Sequence, residues 1–135
     1  MRKRILIIDD EPDILKTTKY LLENEGYNVC AVEDGEDGLR ILSKLKLDLV
    51  LLDLKLPGKT GFQIVNEIKA NDVCKDIPII VLSGMQDEAS KYVVAKGGVL
   101  EFIEKPIDPV KLKFHIQDIL ENRTEAEECV KKRYL

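Results

Sequence analysis

The sequence predicts an α/β fold, a doubly wound parallel sheet in which five strands alternate with five helices. Three observations carry that expectation. Short apolar runs recur at residues 5–8, 28–32, 49–52, 77–82 and 99–103, and three of them are continuously apolar over four or more residues. Continuous runs suit strands covered on both faces. The stretches between them have helical periodicity with start and stop signals, so strand and helix alternate strictly, which favours right-handed βαβ crossovers. The chain has 135 residues, the size of one domain with a core that needs no disulfides or metal staples.

The first run ends at Asp9-Asp10-Glu11, and Pro12 suits the first position of a helix whose stripe is Ile14, Thr18, Leu21 and Leu22, closed by Gly26. Residues 28–32 form a mixed run, expected of a less central strand. Asp34-Gly35 opens a second helix with Leu39 and Leu42 facing inward. The run 49–52 is wholly apolar, a central strand. Thr60 to Gln63 has the spacing of a capping box before Ile64, Val65 and Ile68. The run 77–82 is the fourth strand. A fourth helix is expected to begin at Asp87 or Glu88 and to stop at Gly97-Gly98. After the mixed run 99–103, Asp108-Pro109 caps a fifth helix with the stripe Leu112, Ile116, Ile119 and Leu120. Residues 1–122 are therefore expected as the domain. Residues 123–135, dense in charges of both signs, are expected as a helical extension or tail.

Composition narrows the functional classes. The net charge is −4, the sequence pI about 5.1, aromatics are 5% and Trp is absent. Neither direct nucleic-acid binding, which draws on a basic surplus, nor base stacking is expected. Cys30, Cys74 and Cys129 are odd in number and form no CxxC, so they are expected as reduced thiols, the first two in or near the core. Acids at positions 9 and 10 end the first apolar run after four residues. This is no secretory signal, no run is long enough to span a membrane, and cytoplasm is the expected compartment.

In open α/β sheets, sites form outside the carboxyl ends of the strands. The residues there are Asp9, Asp10 and Glu11 after strand one, Asp53 after strand three, Ser83-Gly84 after strand four and Lys105-Pro106 after strand five. Clustered carboxylates repel unless a cation joins them. A hard divalent ion such as Mg²⁺, with one or two carboxylates, waters and phosphate oxygens, answers that repulsion. A carboxylate beside Mg²⁺ and a lysine is equipped to attack phosphorus, with a hydroxyl donating a hydrogen bond.

Four pieces, in order and at matching spacing, resemble the receiver domain of two-component response regulators: Ile7-Ile8-Asp9-Asp10-Glu11-Pro12, Asp48-Leu49-Val50-Leu51-Leu52-Asp53-Leu54-Lys55-Leu56-Pro57-Gly58, Ile79-Ile80-Val81-Leu82-Ser83-Gly84 and Phe102-Ile103-Glu104-Lys105-Pro106. The resemblance spans about residues 3–122. It implies a flavodoxin-like (βα)₅ fold with strand order 2-1-3-4-5 and Asp53 as phospho-acceptor from a histidine kinase or histidine phosphotransfer protein. Asp10, Asp53 and the backbone carbonyl of Lys55 would hold Mg²⁺, with Asp9 acting mostly through water. Ser83 stands at the family's hydroxyl switch position, Phe102 at its aromatic switch and Lys105 at its phosphate-pairing lysine. Lys55 and Met85 stand where phosphoryl lifetime is tuned. Two departures are modest: Gly97-Gly98 stands in place of Gly-Ala, and Lys59-Thr60-Gly61 in place of Met-Asp-Gly.

The expected function is a phosphorylation-dependent switch that changes partner affinity through the face of helix four, strand five and helix five. It would catalyse its own phosphorylation and dephosphorylation without acting as a turnover enzyme. Lys91, Lys96, Lys111 and Lys113 are candidates for a basic rim on that face, favouring an acidic effector or a second copy. His115, the single histidine, is expected half-buried on helix five. A constitutive scaffold and a phosphate sink without conformational output are the alternatives. A hydrolytic phosphotransferase would want an acid two residues after the nucleophile, where Lys55 stands. A flavin carrier would want Ser, Thr and Gly after strand one, where the chain reads Asp-Asp-Glu-Pro-Asp.

Overall fold

The computed structural model describes residues 2–56, 58–84 and 101–122. Among these, five parallel strands form one sheet: β1 (Arg4–Ile8), β2 (Asn28–Val32), β3 (Leu49–Asp53), β4 (Ile79–Ser83) and β5 (Glu101–Glu104), in the order β2-β1-β3-β4-β5. The described helices are α1 (Pro12–Asn24), α2 (Gly35–Lys44), α3 (Gly61–Ala70) and α4 (Pro109–Gln117), which continues into a π-helical turn, Asp118–Asn122. α4 is the segment expected as the fifth helix. The expected fourth helix with Gly97-Gly98, and the charged segment 123–135 with Cys129, lie outside the described residues. None of the described helices is long and apolar enough to cross a membrane.

Side-chain caps account for three of the four described α-helix starts. Asp34 caps α2 by accepting from the Asp37 N–H. Thr60 and Gln63 close a reciprocal capping box on α3. Asp108 accepts from the Val110 and Lys111 N–H groups, with Pro109 at the first position of α4. Each bond satisfies an amide that the first helical turn leaves without a partner. Gly26, at φ 93°, turns the chain out of α1 into β2, a conformation side chains disfavour.

The apolar strands divide their side chains by alternation, as a pleated strand must. Leu6, Ile8, Val50, Leu52, Ile79 and Val81 pack with Leu42, Ile64, Val65 and Ile68 of α2 and α3. Ile5, Ile7, Leu49, Leu51, Ile80 and Leu82 pack with Leu15, Leu22, Leu112 and Ile116 of α1 and α4. One correction falls on α1. Leu15, with Thr18 and Leu22, is its buried residue, while Ile14 and Leu21 are only half-buried. The helix is rotated so that the last two border α4 and its leading loop, in a groove shared with Pro106, Ile107 and Pro109. Cys74 is buried and Cys30 half-buried, as expected.

Candidate functional site

The parallel register assembles the site. Ile8 pairs with Leu52, so the next residues, Asp9 and Asp53, stand side by side where β1 and β3 end. Asp53 pairs with Leu82, which puts Ser83 one step further along β4. Ser83 pairs with Glu104, and the next residue, Lys105, donates its N–H to the Ser83 carbonyl at 2.8 Å. Four side chains far apart in sequence thus reach one sheet edge because neighbouring strands stop together. The Lys105-Pro106 peptide is cis.

Asp9, Asp53 and Ser83 are buried, with Asp9 at 0% exposure. The Lys105 ammonium lies 2.9 Å from Asp9 Oδ2, 3.2 Å from Asp53 Oδ2 and 3.1 Å from Glu11 Oε1. Asp9 Oδ1 accepts from the Glu11 N–H at 2.9 Å, and Asp53 Oδ1 from the Lys55 N–H at 3.0 Å. Each buried carboxylate therefore has one oxygen on a backbone amide and the other on the ammonium. Carboxylate oxygens of Asp9, Asp10, Glu11 and Asp53 all lie within 4.8 Å of one another. Asp10 is exposed at the mouth of this group.

Burial pushes the Asp53 carboxyl above the ordinary aspartate range. The Lys55 amide and the Lys105 charge oppose that rise, and the neighbouring Asp9 charge adds to it. For Lys105, burial acts to lower the ammonium, but hydrogen bonds to Asp9 and Glu11 and the charges of Asp53 and Asp9 outweigh it. The ammonium is held well above the usual lysine range.

The loop after Asp53 is fastened close to the site. Leu54 N–H bonds the Leu82 carbonyl, and Gly61 N–H bonds the Leu54 carbonyl at 3.1 Å. A Cβ at Gly61 would sit 2.5 Å from Leu54 Cα and 2.7 Å from the Asp53 carbonyl oxygen, so only glycine lets α3 start this near β3. Lys59 pairs with Glu36 of α2 at 3.1 Å and with Glu67 of α3 at 2.6 Å.

The chain matches the response regulator receiver domain family over residues 5–117. It belongs to that family. The transcriptional regulatory protein GlrR of Escherichia coli K12 is 35% identical over 122 residues, 90% of this chain and 27% of the relative. The phosphate regulon transcriptional regulatory protein PhoB of the same strain is 30% identical over 120 residues, 89% of this chain and 52% of the relative. The chain thus spans from about a quarter to a half of the length of these relatives. A CheY-like receiver domain protein from Methanospirillum hungatei superposes with a TM-score of 0.86 at 28% identity, covering 93% of this chain and 99% of that one. The receiver domain of the sensor histidine kinase PA1611 of Pseudomonas aeruginosa, solved with a magnesium ion coordinated in its active-site cleft, superposes at 0.81 with 25% identity, covering 89% and 98%.

In this receiver domain the strand ends bring together Asp9, Asp10, Asp53, Ser83 and Lys105, as the sequence leads one to expect. Phe102 is half-buried on β5, packed towards the α2 and α3 side of the sheet. His115 is half-buried on α4. Met85, Lys91 and Lys96 lie outside the described residues. Lys111 is exposed. Lys113 departs from the expected rim: its ammonium pairs with Glu25 at the end of α1 at 3.1 Å, which directs it towards that helix. The sequence reading gave Glu11 no separate role. Its contact with Lys105 joins residues 94 apart in the chain, and no local pattern encodes it.

Proposed function

We propose that Asp53 accepts a phosphoryl group from a phosphohistidine of a sensor histidine kinase or histidine phosphotransfer protein, and that the receiver thereby switches its affinity for a partner. The carrying observation is the buried Asp53 carboxylate, ion-paired to Lys105 at 3.2 Å beside a second buried acid, Asp9. In the transfer, a carboxylate oxygen of Asp53 bonds to phosphorus as the phosphorus–nitrogen bond of the donor breaks, and that electron pair returns to the imidazole nitrogen. Lys105 offsets the charge of the phosphoryl oxygens, and the Lys55 amide orients the attacking carboxylate.

The donor set suits Mg²⁺, since it consists of hard carboxylate oxygens crowded within 4.8 Å of one another. Asp10, Asp53 and the Lys55 carbonyl would hold the ion, with Asp9 acting through water. When bound, Mg²⁺ supplies neutralisation of phosphoryl oxygens. Ser83, buried at the end of β4, would then bond a phosphoryl oxygen, and Phe102 would repack into the space it leaves. The face affected comprises β5, α4 and the expected fourth helix, and Lys55 and Met85 would tune the phosphoryl lifetime. A downstream effector or a second copy would read the change. Direct nucleic-acid contact by these residues is not part of this reading, given the acidic balance of the chain.

The test is intact-mass spectrometry after treatment with acetyl phosphate and Mg²⁺. One added phosphate is expected, abolished by Asp53→Asn or by chelation. A phosphate retained in Asp53→Asn overturns the assignment. Hydrogen exchange with beryllofluoride, an acyl-phosphate mimic, checks the output. Changes should reach residues 84–105 and be suppressed by Ser83→Ala. Changes confined to the surroundings of Asp10 and Asp53 would instead make the protein a phosphate sink.

A further inference from the structure

An ammonium has three N–H donors, and three carboxylates meet Lys105: Asp9 at 2.9 Å, Glu11 at 3.1 Å and Asp53 at 3.2 Å. A phosphoryl group brings several anionic oxygens to this edge and competes with these carboxylates for the three N–H groups. Asp9 is fully buried and its other oxygen is committed to the Glu11 N–H, so releasing it would strand a buried charge, an expensive outcome. Asp53 would itself carry the phosphoryl, so its place on the ammonium passes to one phosphoryl oxygen, and a second oxygen competes with Asp9 or Glu11. The Glu11 side chain is 56% exposed and can exchange the ammonium for water at small cost.

The local backbone fits this role. Glu11 is the N-cap residue of α1, yet its side chain makes no cap bond, and Pro12 follows it. Its main chain is fastened by Asp9 while its carboxylate reaches over to Lys105. The side chain at a helix start is thus diverted from capping to the functional lysine.

We infer that Glu11 is a positioning residue for Lys105, holding the ammonium in the resting state and competing for it with the incoming phosphoryl group. This rests on the phospho-acceptor reading of Asp53. Removing the competitor should make the phosphorylated state easier to reach and slower to decay. The pair is partly exposed, and such pairs give effects of about threefold to fivefold on an equilibrium constant.

The experiment is a beryllofluoride titration of the full chain followed by amide NMR, at Mg²⁺ concentrations shown by separate titration to saturate each variant. Glu11→Gln is expected to bind beryllofluoride about threefold to fivefold more tightly than the parent. Glu11→Asp keeps the charge but shortens the reach by one methylene, and it is expected to tighten binding as well, by about twofold. Tightening in Glu11→Gln alone would mean long-range repulsion of an anion, and overturns the inference. Unchanged or weaker binding in Glu11→Gln, as a direct metal ligand would give, also overturns it. If the parent does not bind beryllofluoride with Mg²⁺, the phospho-acceptor reading fails and takes this inference with it. Parental binding with no response to Glu11 defeats the inference alone.

Discussion

Asp48 and Asp53 bracket the same strand, and their fates differ. Asp48, at the amino end of β3, is partly exposed, and its Oδ2 accepts from the Arg4 N–H at 2.8 Å while its own N–H bonds the Arg4 carbonyl. It finishes the ladder between β1 and β3. Asp53, five residues on, is buried among Asp9, Ser83 and Lys105. Residue type does not make the difference. At the amino end the Asp48 carboxylate keeps partial exposure to solvent beside its single backbone partner, the Arg4 N–H. At the carboxyl end β1, β3 and β4 finish within two residues of one another in register, so Asp9, Asp53 and Ser83 share one desolvated space. A buried, charge-paired carboxylate is made here by strand register.

Metal gives the largest expected way to sharpen this contrast. Mg²⁺ at a hundredfold excess over its dissociation constant should stabilise the fold by about 2.7 kcal/mol. Asp10→Asn should blunt the gain, whereas Asp48→Asn should leave it intact. A melting curve indifferent to millimolar Mg²⁺ would remove the distinction between the two ends. Backbone crowding comes next. Gly61→Ala forces a Cβ against Leu54 and the Asp53 carbonyl, and should cost about 2 kcal/mol. Thermal denaturation should show a fall of roughly 8 °C.

Neutralising each aspartate in metal-free buffer should then give opposite signs. The folded-state pKa of Asp53 is raised, chiefly by burial. The stability linked to such a group is present below its unfolded value of 3.8 and is lost as pH rises through the folded value. At neutral pH the ionised side chain is therefore a liability. Asp53→Asn should stabilise by about 1 kcal/mol, roughly 4 °C in Tm. The gain should vanish as the pH falls towards 3.8 and both forms become neutral. Asp48→Asn should instead cost about 0.5 kcal/mol, by weakening an ionic hydrogen bond to the Arg4 amide. Equal signs for the two variants would contradict the burial contrast.

The smallest effect, nil at neutral pH, belongs to the turn between α1 and β2. Burial, then the charge and hydrogen bond of Glu121, then the charge of Glu25, push the Tyr27 hydroxyl from 10.0 up to about 12. Its folded pKa is raised, so its contribution to stability is complete below pH 10 and drains away as pH rises through about 12. Ultraviolet titration should show one tyrosine ionising near pH 12 in the folded protein, absent in Tyr27→Phe.

Much of this was legible in one dimension. The strands follow apolar runs, and the caps at Asp34, Thr60 with Gln63, and Asp108 are contacts within three residues. Such signals act over one helical turn or one strand, so neighbouring residues decide them. Asp9, Asp53, Ser83 and Lys105 were legible too, because each directly ends or follows a strand, and parallel strands open their carboxyl ends on one edge. Tertiary structure alone decided the rest. The rotation of α1 that buries Leu15 in place of Ile14, the turn of Lys113 towards Glu25, the bracing of Lys59 between Glu36 and Glu67, and the reach of Glu11 to Lys105 each depend on how two separate elements cross. A sequence specifies the period and the polarity of each element. The rotation of one element against another emerges only when both have packed on the same sheet, and with it the choice of which long, flexible charge meets which.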